Sequence, residues 1–385
     1  MSASDNEIYY EREQSQIKHV ILDKYLERFA FIVGSFAKEI IYIDAFSGPW
    51  NSVCKDLSDS SFAIALRQLR SARDTLEMKN GKRLGITCVF LEVDANAFQQ
   101  LEKFAKEQTD VRIVALNQSF ESAIPDLNRL IDGRPSDHFP FILIDPKGWS
   151  GFSMDAIASL IKHRPCELLV NFMTGHIKRF VQDDRESIKA TFRRLFGDDS
   201  FERKIDGKSG QEREDAIVSA YAERLASVGG YDYTCTTFVL QPLRDRTHFH
   251  LIYATRDVKG VQVFKEAERK ALAASEEIRS DAKRRERISS TGQLELFRGE
   301  TLPETQYQEE LQEHYEKLVL DELAIAFASN KAIPYDQLLG RMLRHPMVDE
   351  AFLKAWIKKN CDVLGLENGR VPQIRKNHSI KMKNV

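Results

Sequence analysis

Glycine is missing where phosphate chemistry would need it, and cysteine is sparse throughout. The 385-residue chain has five cysteines, Cys54, Cys88, Cys166, Cys235 and Cys361, with no pair at CxxC spacing. An odd, scattered set excludes a disulfide framework and a thiolate metal site, and fits a reducing, cytoplasmic setting. Neither sign of charge is in excess: 56 Lys and Arg stand against 58 Asp and Glu, a net of -2. Any nucleic-acid surface must therefore be local. The chain is 42% hydrophobic and 30% charged, with 19 Gly and 11 Pro. That balance excludes collagen-like, disordered and membrane-embedded classes. Met1 to Glu7 is polar and acidic, so no signal peptide or lipid anchor is expected from it. Internal repeats and long low-complexity tracts are also absent.

Two nucleotide motifs fail in the same way. Only Gly48 stands where GxGxxG needs three glycines for the backbone to approach a pyrophosphate, which disfavours NAD and FAD. Gly207-Lys208-Ser209 resembles the end of a Walker A loop, but Glu202 occupies the position of its leading glycine.

What is present is a rhythm. Apolar residues at Ile17, Val20, Ile21, Tyr25, Phe29 and Ile32 predict an amphipathic helix over 16–36, ahead of the strand Ile40 to Ile43. Further strands are predicted at Ile86–Val93, Val111–Leu116, Phe139–Ile144 and Glu167–Phe172, with helices at 61–69, Ala95–Lys106, Phe120–Ile131 and Met154–His163 between them. Such alternation implies parallel pairing through right-handed crossovers, hence an α/β, doubly wound sheet. After a charged, mostly helical insertion at about 175–228, Tyr233–Leu240 and Thr247–Thr255 follow each other with only a short connection, which forces an antiparallel hairpin. Five parallel strands closed by a hairpin is the element order of class I S-adenosylmethionine-dependent methyltransferases.

The strand ends carry the candidate chemistry, because doubly wound sheets bind ligands at their carboxyl edge. Asp44 ends the first strand and runs into Phe46-Ser47-Gly48; a sulfonium ligand with an amino group calls for carboxylates rather than glycine-rich phosphate cradles. Glu92, followed by Val93, ends the second strand, where a carboxylate would accept ribose hydroxyls. Gln118 follows the third, where an amide reads an adenine edge. Asp44, Phe46, Ser47, Gly48, Glu92, Val93 and Gln118 are thus the expected S-adenosylmethionine contacts. Asp145, Pro146 and Trp149 after the fourth strand combine an acceptor group with a stacking surface and are the expected catalytic, methyl-acceptor side. His248 and His250 alternate as metal ligands would but lack a third partner, so no metal is expected. His176, just past the fifth strand, is a weaker candidate for substrate contact.

Several of these motifs together resemble the three-Cys-motif partner proteins, abbreviated TcmP. The resemblance lies in Tyr42-Ile43-Asp44-Ala45-Phe46-Ser47-Gly48-Pro49-Trp50, Asp59-Ser60-Ser61-Phe62, Ile144-Asp145-Pro146 with Gly148-Trp149, and Leu169-Val170-Asn171-Phe172. Lys18-His19 and Tyr25-Leu26 are similar as well, and the likeness covers about 16–255. It implies a bacterial protein with a methyltransferase-like sheet and a separate partner protein that carries the three cysteines. Two departures accompany it. Trp50 replaces the second glycine of a methyltransferase loop, where it would narrow the cofactor pocket. Lys147-Gly148 alters the Asp/Asn-Pro-Pro-aromatic pattern of base-methylating enzymes.

The expected organisation is a helical lead-in over 1–36, a Rossmann-like methyltransferase domain over 37–288, a linker over 289–304, and a small winged-helix-like domain over 305–385. The last has three helical patterns, 306–328, 335–343 and 349–360, and a hairpin signal at Asn368-Gly369. Arg341, Arg344, Lys354, Lys358, Lys359, Arg370, Arg375, Lys376, Lys381 and Lys383 make it locally basic. Its expected partner is nucleic acid or a docked protein. The functional expectation is an S-adenosylmethionine-binding, methyltransferase-like protein acting with a partner on nucleic acid or a nucleotide derivative. The alternative is a catalytically silent adaptor built on the same sheet.

Overall fold

The computed structural model describes residues 8–48, 52–54, 56–134, 136–291, 304–329, 332–360 and 379–381. Helix α1 (Glu13–Phe36) leads into strand β1 (Glu39–Asp44). Then α2 (Ser61–Asn80), β2 (Gly85–Leu91), α3 (Ala95–Glu107), β3 (Arg112–Leu116), α4 (Phe120–Asp132), β4 (His138–Ile144), α5 (Met154–Ile161) and β5 (Glu167–Phe172) alternate. Four helices make up the insertion: α6 (Thr174–Phe180), α7 (Glu186–Phe196), α8 (Ser200–Ile205) and α9 (Gly210–Gly229). The hairpin β6 (Tyr233–Leu240) and β7 (Thr247–Thr255) follows, and then the long helix α10 (Val258–Thr291).

The seven strands lie in the order β3-β2-β1-β4-β5-β7-β6. Strands β1 to β5 pair in parallel, whereas β7 runs antiparallel to both β5 and β6. This is the class I methyltransferase-like arrangement, a doubly wound α/β sheet whose order of strand addition reverses between the parallel neighbours β1 and β4. A crevice opens at that switch point, over the carboxyl ends of the strands.

Side chains alternate along each strand, so the sheet buries both faces. Ile40, Tyr42, Cys88, Phe90, Phe141 and Leu143 pack beneath α1, α2 and α10. Ile41, Ile43, Val89, Leu91, Ile142 and Ile144 pack against α4, α5 and α9 on the other side. Helix starts obey local chemistry: Ser60, Asp94 and Ser119 each accept a backbone N–H of the first turn, at 3.2, 2.8 and 3.3 Å. Truncating Leu69, fully buried on α2, to alanine would cost about 2–5 kcal/mol.

Beyond α10 come α11 (Glu304–Ser329), β8 (Ala332–Pro334), α12 (Tyr335–Met342), α13 (Glu350–Lys359) and β9 (Ser379–Lys381), with β8 and β9 antiparallel. The predicted hairpin tip at Asn368-Gly369 and most of the predicted linker lie outside the described residues. The C-terminal module shares its core with the sheet, because Leu338, Leu339, Met342, Leu343, Leu353 and Ile357 belong to the same cluster as α1, α2 and α10. Thr236 on β6 donates its backbone N–H and its hydroxyl to the Arg344 carbonyl, each at 3.0 Å. No helix of the described residues is long and apolar enough to cross a membrane.

Candidate functional site at the carboxyl edge of the sheet

Asp44 closes β1 and is wholly enclosed. Its Oδ1 accepts from the Phe46 N–H at 3.1 Å and its Oδ2 from the Ser61 hydroxyl at 2.6 Å. Ser47 is buried too, donating its hydroxyl to the Asp44 carbonyl and its N–H to the Leu91 carbonyl, both at 2.8 Å. Burial pushes the Asp44 carboxyl up to about 6, against the pull of Ser61 and of the Phe46 N–H. Asp44, an expected ligand contact, thus spends one acceptor site of each oxygen on holding the turn over β1. Phe46 and Gly48 line the cleft beyond it. Trp50 lies outside the described residues.

Glu92, immediately after β2, behaves differently. One oxygen, Oε1, accepts from the Asp94 N–H at 2.6 Å, while Oε2 is buried without a hydrogen-bond partner. The residue is 3% exposed, and burial raises its carboxyl above the ordinary range although the Asp94 and Val93 N–H groups draw it back. Val93 beside it is 69% exposed, an apolar surface facing outward. Asn117 donates to the Glu92 carbonyl at 2.7 Å and so ties the ends of β2 and β3 together. Gln118 donates to Asp126 at 3.1 Å on α4, which orients its amide.

A cleft of about 410 Å³ opens between the ends of β1, β4, β5 and β7 and the first turns of α1, within the range of small-molecule pockets. At its base Asp145 is gripped from two sides. Lys18 of α1 forms an ion pair with Oδ2, and Asn171 at the end of β5 donates its Nδ2 to Oδ1 at 2.6 Å. Pro146, Lys147, Met173, His176, His248 and Phe249 complete this side, while Arg12, paired with Asp59 at 2.7 Å, closes the other. His19 is held neutral by burial, its pKa drawn down to about 3, with Nδ1 at 2.8 Å from the Tyr9 hydroxyl.

The expected constellation is therefore divided. Asp145 and Pro146 share the cleft with Phe46 and Gly48, whereas Glu92, Val93 and Gln118 stand further along the same edge. Trp149 turns aside: its ring packs on Phe180 and Phe192, at centroid distances of 5.0 and 6.1 Å, and edge-on to His176 at 6.0 Å. The insertion helices supply these rings, and an apolar indole gains more by burial among them than by facing the cleft. His250 bonds Thr174 at 2.8 Å in the interior while His248 lines the cleft. Among the described residues no group of three metal-ligating side chains assembles.

Sequence reasoning gave no role to the ligating atoms of Lys18 or Asn171, although both stand in motifs that carried the resemblance. Their partner Asp145 is 127 residues from Lys18 and 26 from Asn171. No local pattern announces such a contact.

No family model and no curated protein matches the chain. Among solved structures it is similar to an O-methyltransferase from Bacillus cereus in complex with SAH, with 14% identity over 60% of this chain and 80% of that one, at a TM-score of 0.31. It is also similar to the mycolic acid cyclopropane synthase CmaA1 complexed with SAH and CTAB, with 11% identity, 69% and 76% coverage, and a TM-score of 0.28. A loganic acid methyltransferase with SAH gives 9% identity, 72% and 88% coverage, and a TM-score of 0.31. Likenesses this loose add nothing to the class that the strand order itself defines.

Proposed function

We propose that this chain binds S-adenosylmethionine over the ends of β1 and β2 and acts as a methyltransferase on a molecule that enters the cleft between β4, β5 and α1. The observation that carries this reading is the buried, unpartnered Oε2 of Glu92. An orphaned buried oxygen costs about 1–3 kcal/mol, and a ribose hydroxyl would supply the missing donor. Exposed Val93 offers an apolar face to the adjoining purine, Gln118 an amide to its edge, and the Phe46-Ser47-Gly48 turn its backbone to the amino-acid end. When bound, the cofactor supplies an electrophilic methyl group. Asp145 and Pro146 then form the acceptor side, with Lys18 keeping the Asp145 carboxylate compensated.

The TcmP resemblance supports a partner protein bearing three cysteines and a bacterial, cytoplasmic setting. For the acceptor we favour a nucleic acid or a nucleotide derivative, with exposed Lys358 and Lys359 on α13 as phosphate contacts of a winged-helix-like module. The adaptor reading also has an observation in its favour: both Asp145 oxygens are already occupied. Calorimetric titration of the full chain with S-adenosylhomocysteine separates the two. Saturable heat is the expected result, and silence at millimolar ligand would overturn the enzyme reading and leave the adaptor.

A further inference from the structure

The acceptor side contains a second polar atom with nothing to bind. Asn171 is 3% exposed, and its Oδ1 is buried without a hydrogen-bond partner. Its orientation is fixed by chemistry: the Asp145 carboxylate only accepts hydrogen bonds, so the amide must present its NH2 there and turn its oxygen away. The residue lines the 410 Å³ cleft, where Phe46, Pro146, Met173 and Phe249 provide apolar walls.

We infer that Asn171 Oδ1 is the recognition point for a neutral, planar N–H donor: the amino group of an amino-heteroaromatic ring or a primary carboxamide. Neutrality follows from the local charges. An ammonium seeks a carboxylate, but those facing the cleft are engaged, Asp145 by Lys18 and Asp59 by Arg12. What is left unpaired is an amide oxygen, which suits an uncharged N–H. Planarity follows from the lining, since Phe46 and Phe249 offer ring faces on which a flat conjugated group stacks. The inference deepens the acceptor side of the proposed function by naming the class of group that it takes. Binding at this subsite does not itself require the cofactor.

The experiment uses two pairs of neutral probes that differ only in NH2 against CH3: 2-aminopyrimidine against 2-methylpyrimidine, and benzamide against acetophenone. Affinities are measured by ligand-observed NMR on the full chain, with and without saturating S-adenosylhomocysteine. The amino member of at least one pair is expected to bind roughly 3–10-fold more tightly than its methyl twin, the worth of one neutral hydrogen bond. Which pair responds tells the heteroaromatic source from the carboxamide. Asn171→Leu should abolish that preference while leaving affinity for the methyl members unchanged. Equal binding within both pairs in the wild type overturns the inference whether or not the variant folds, as does a preference that survives Asn171→Leu. Preference in a chain that gives S-adenosylhomocysteine itself no ligand-observed binding signal would keep this inference and remove the cofactor reading. Cofactor binding with no preference would do the reverse.

Discussion

The carboxyl edge of the sheet and the seam under the C-terminal module both bury charged and polar groups, yet they treat them in opposite ways. At the seam Lys265 and Glu268, each 3% exposed, pair at 2.5 Å; the lysine also donates to the His345 carbonyl at 2.6 Å, and the glutamate accepts the Met347 N–H at 3.0 Å. The two charges match each other within α10, and each also bonds the backbone that follows α12. At the strand ends Glu92 and Asn171 each bury an oxygen that the protein leaves unmatched. A satisfied buried network fixes one arrangement of the chain, whereas an unsatisfied group is a cost that persists until a ligand supplies the partner. Under the proposed function, the spare oxygens of Glu92 and Asn171 receive a molecule, while the Lys265–Glu268 pair holds the fold.

Breaking the seam should produce the largest effect. Lys265→Met strands the Glu268 carboxylate in the interior, so a loss of about 3–5 kcal/mol is expected in urea unfolding, with Lys265→Met/Glu268→Leu recovering part of it. A double variant no more stable than the single one would contradict the pairing. At the strand end the sign reverses. Glu92→Ala should cost about 1.5–3 kcal/mol of S-adenosylhomocysteine affinity by calorimetry while leaving the melting temperature level or higher, because the buried, partnerless Oε2 that it removes offsets the lost Asp94 N–H bond. Equal losses of affinity and stability would place Glu92 with the seam instead.

Close packing at the seam gives a third test. A Cβ added to Gly340 on α12 would meet the Tyr233 ring at 2.3 Å, so Gly340→Ala is expected to lose about 1–3 kcal/mol of stability without changing ligand affinity. The smallest effect is a pH dependence. His314 on α11 bonds Asp215 on α9 at 2.6 Å, and that hydrogen bond raises its pKa above the ordinary value. A raised histidine stabilises fully below about pH 6.5, its unfolded value, and the contribution fades as pH climbs through the folded value. The pair is partly exposed, so the change between pH 5.5 and 8.5 should be about 0.2–1 kcal/mol, seen as a flatter stability profile in His314→Asn.

The amino-acid order determined the elements and their class. Short apolar runs set β1 to β5 within a residue or two of their expected bounds, and the six residues between Leu240 and Thr247 left β6 and β7 no geometry except a hairpin. Right-handed crossovers then put Asp44, Glu92, Gln118 and Asp145 at one edge, since parallel strands all end on the same side. These features are local or topological, which is why they were legible.

What each polar atom does at that edge was decided only in three dimensions. Asp44 and Glu92 are alike as acids at strand ends, but Ser61 from α2 caps the first, while nothing reaches the second carboxylate's Oε2. Trp149 went to the aromatic cluster of the insertion because Phe180 and Phe192 are there to bury it. Asp145 acquired Lys18 from a helix 127 residues earlier, and through that grip Asn171 was turned to leave its oxygen bare. The sequence places a side chain on an edge and a face; whether its hydrogen-bonding capacity is spent or spare depends on which distant neighbours the packed helices bring within 3 Å, and that is a property of the tertiary structure alone.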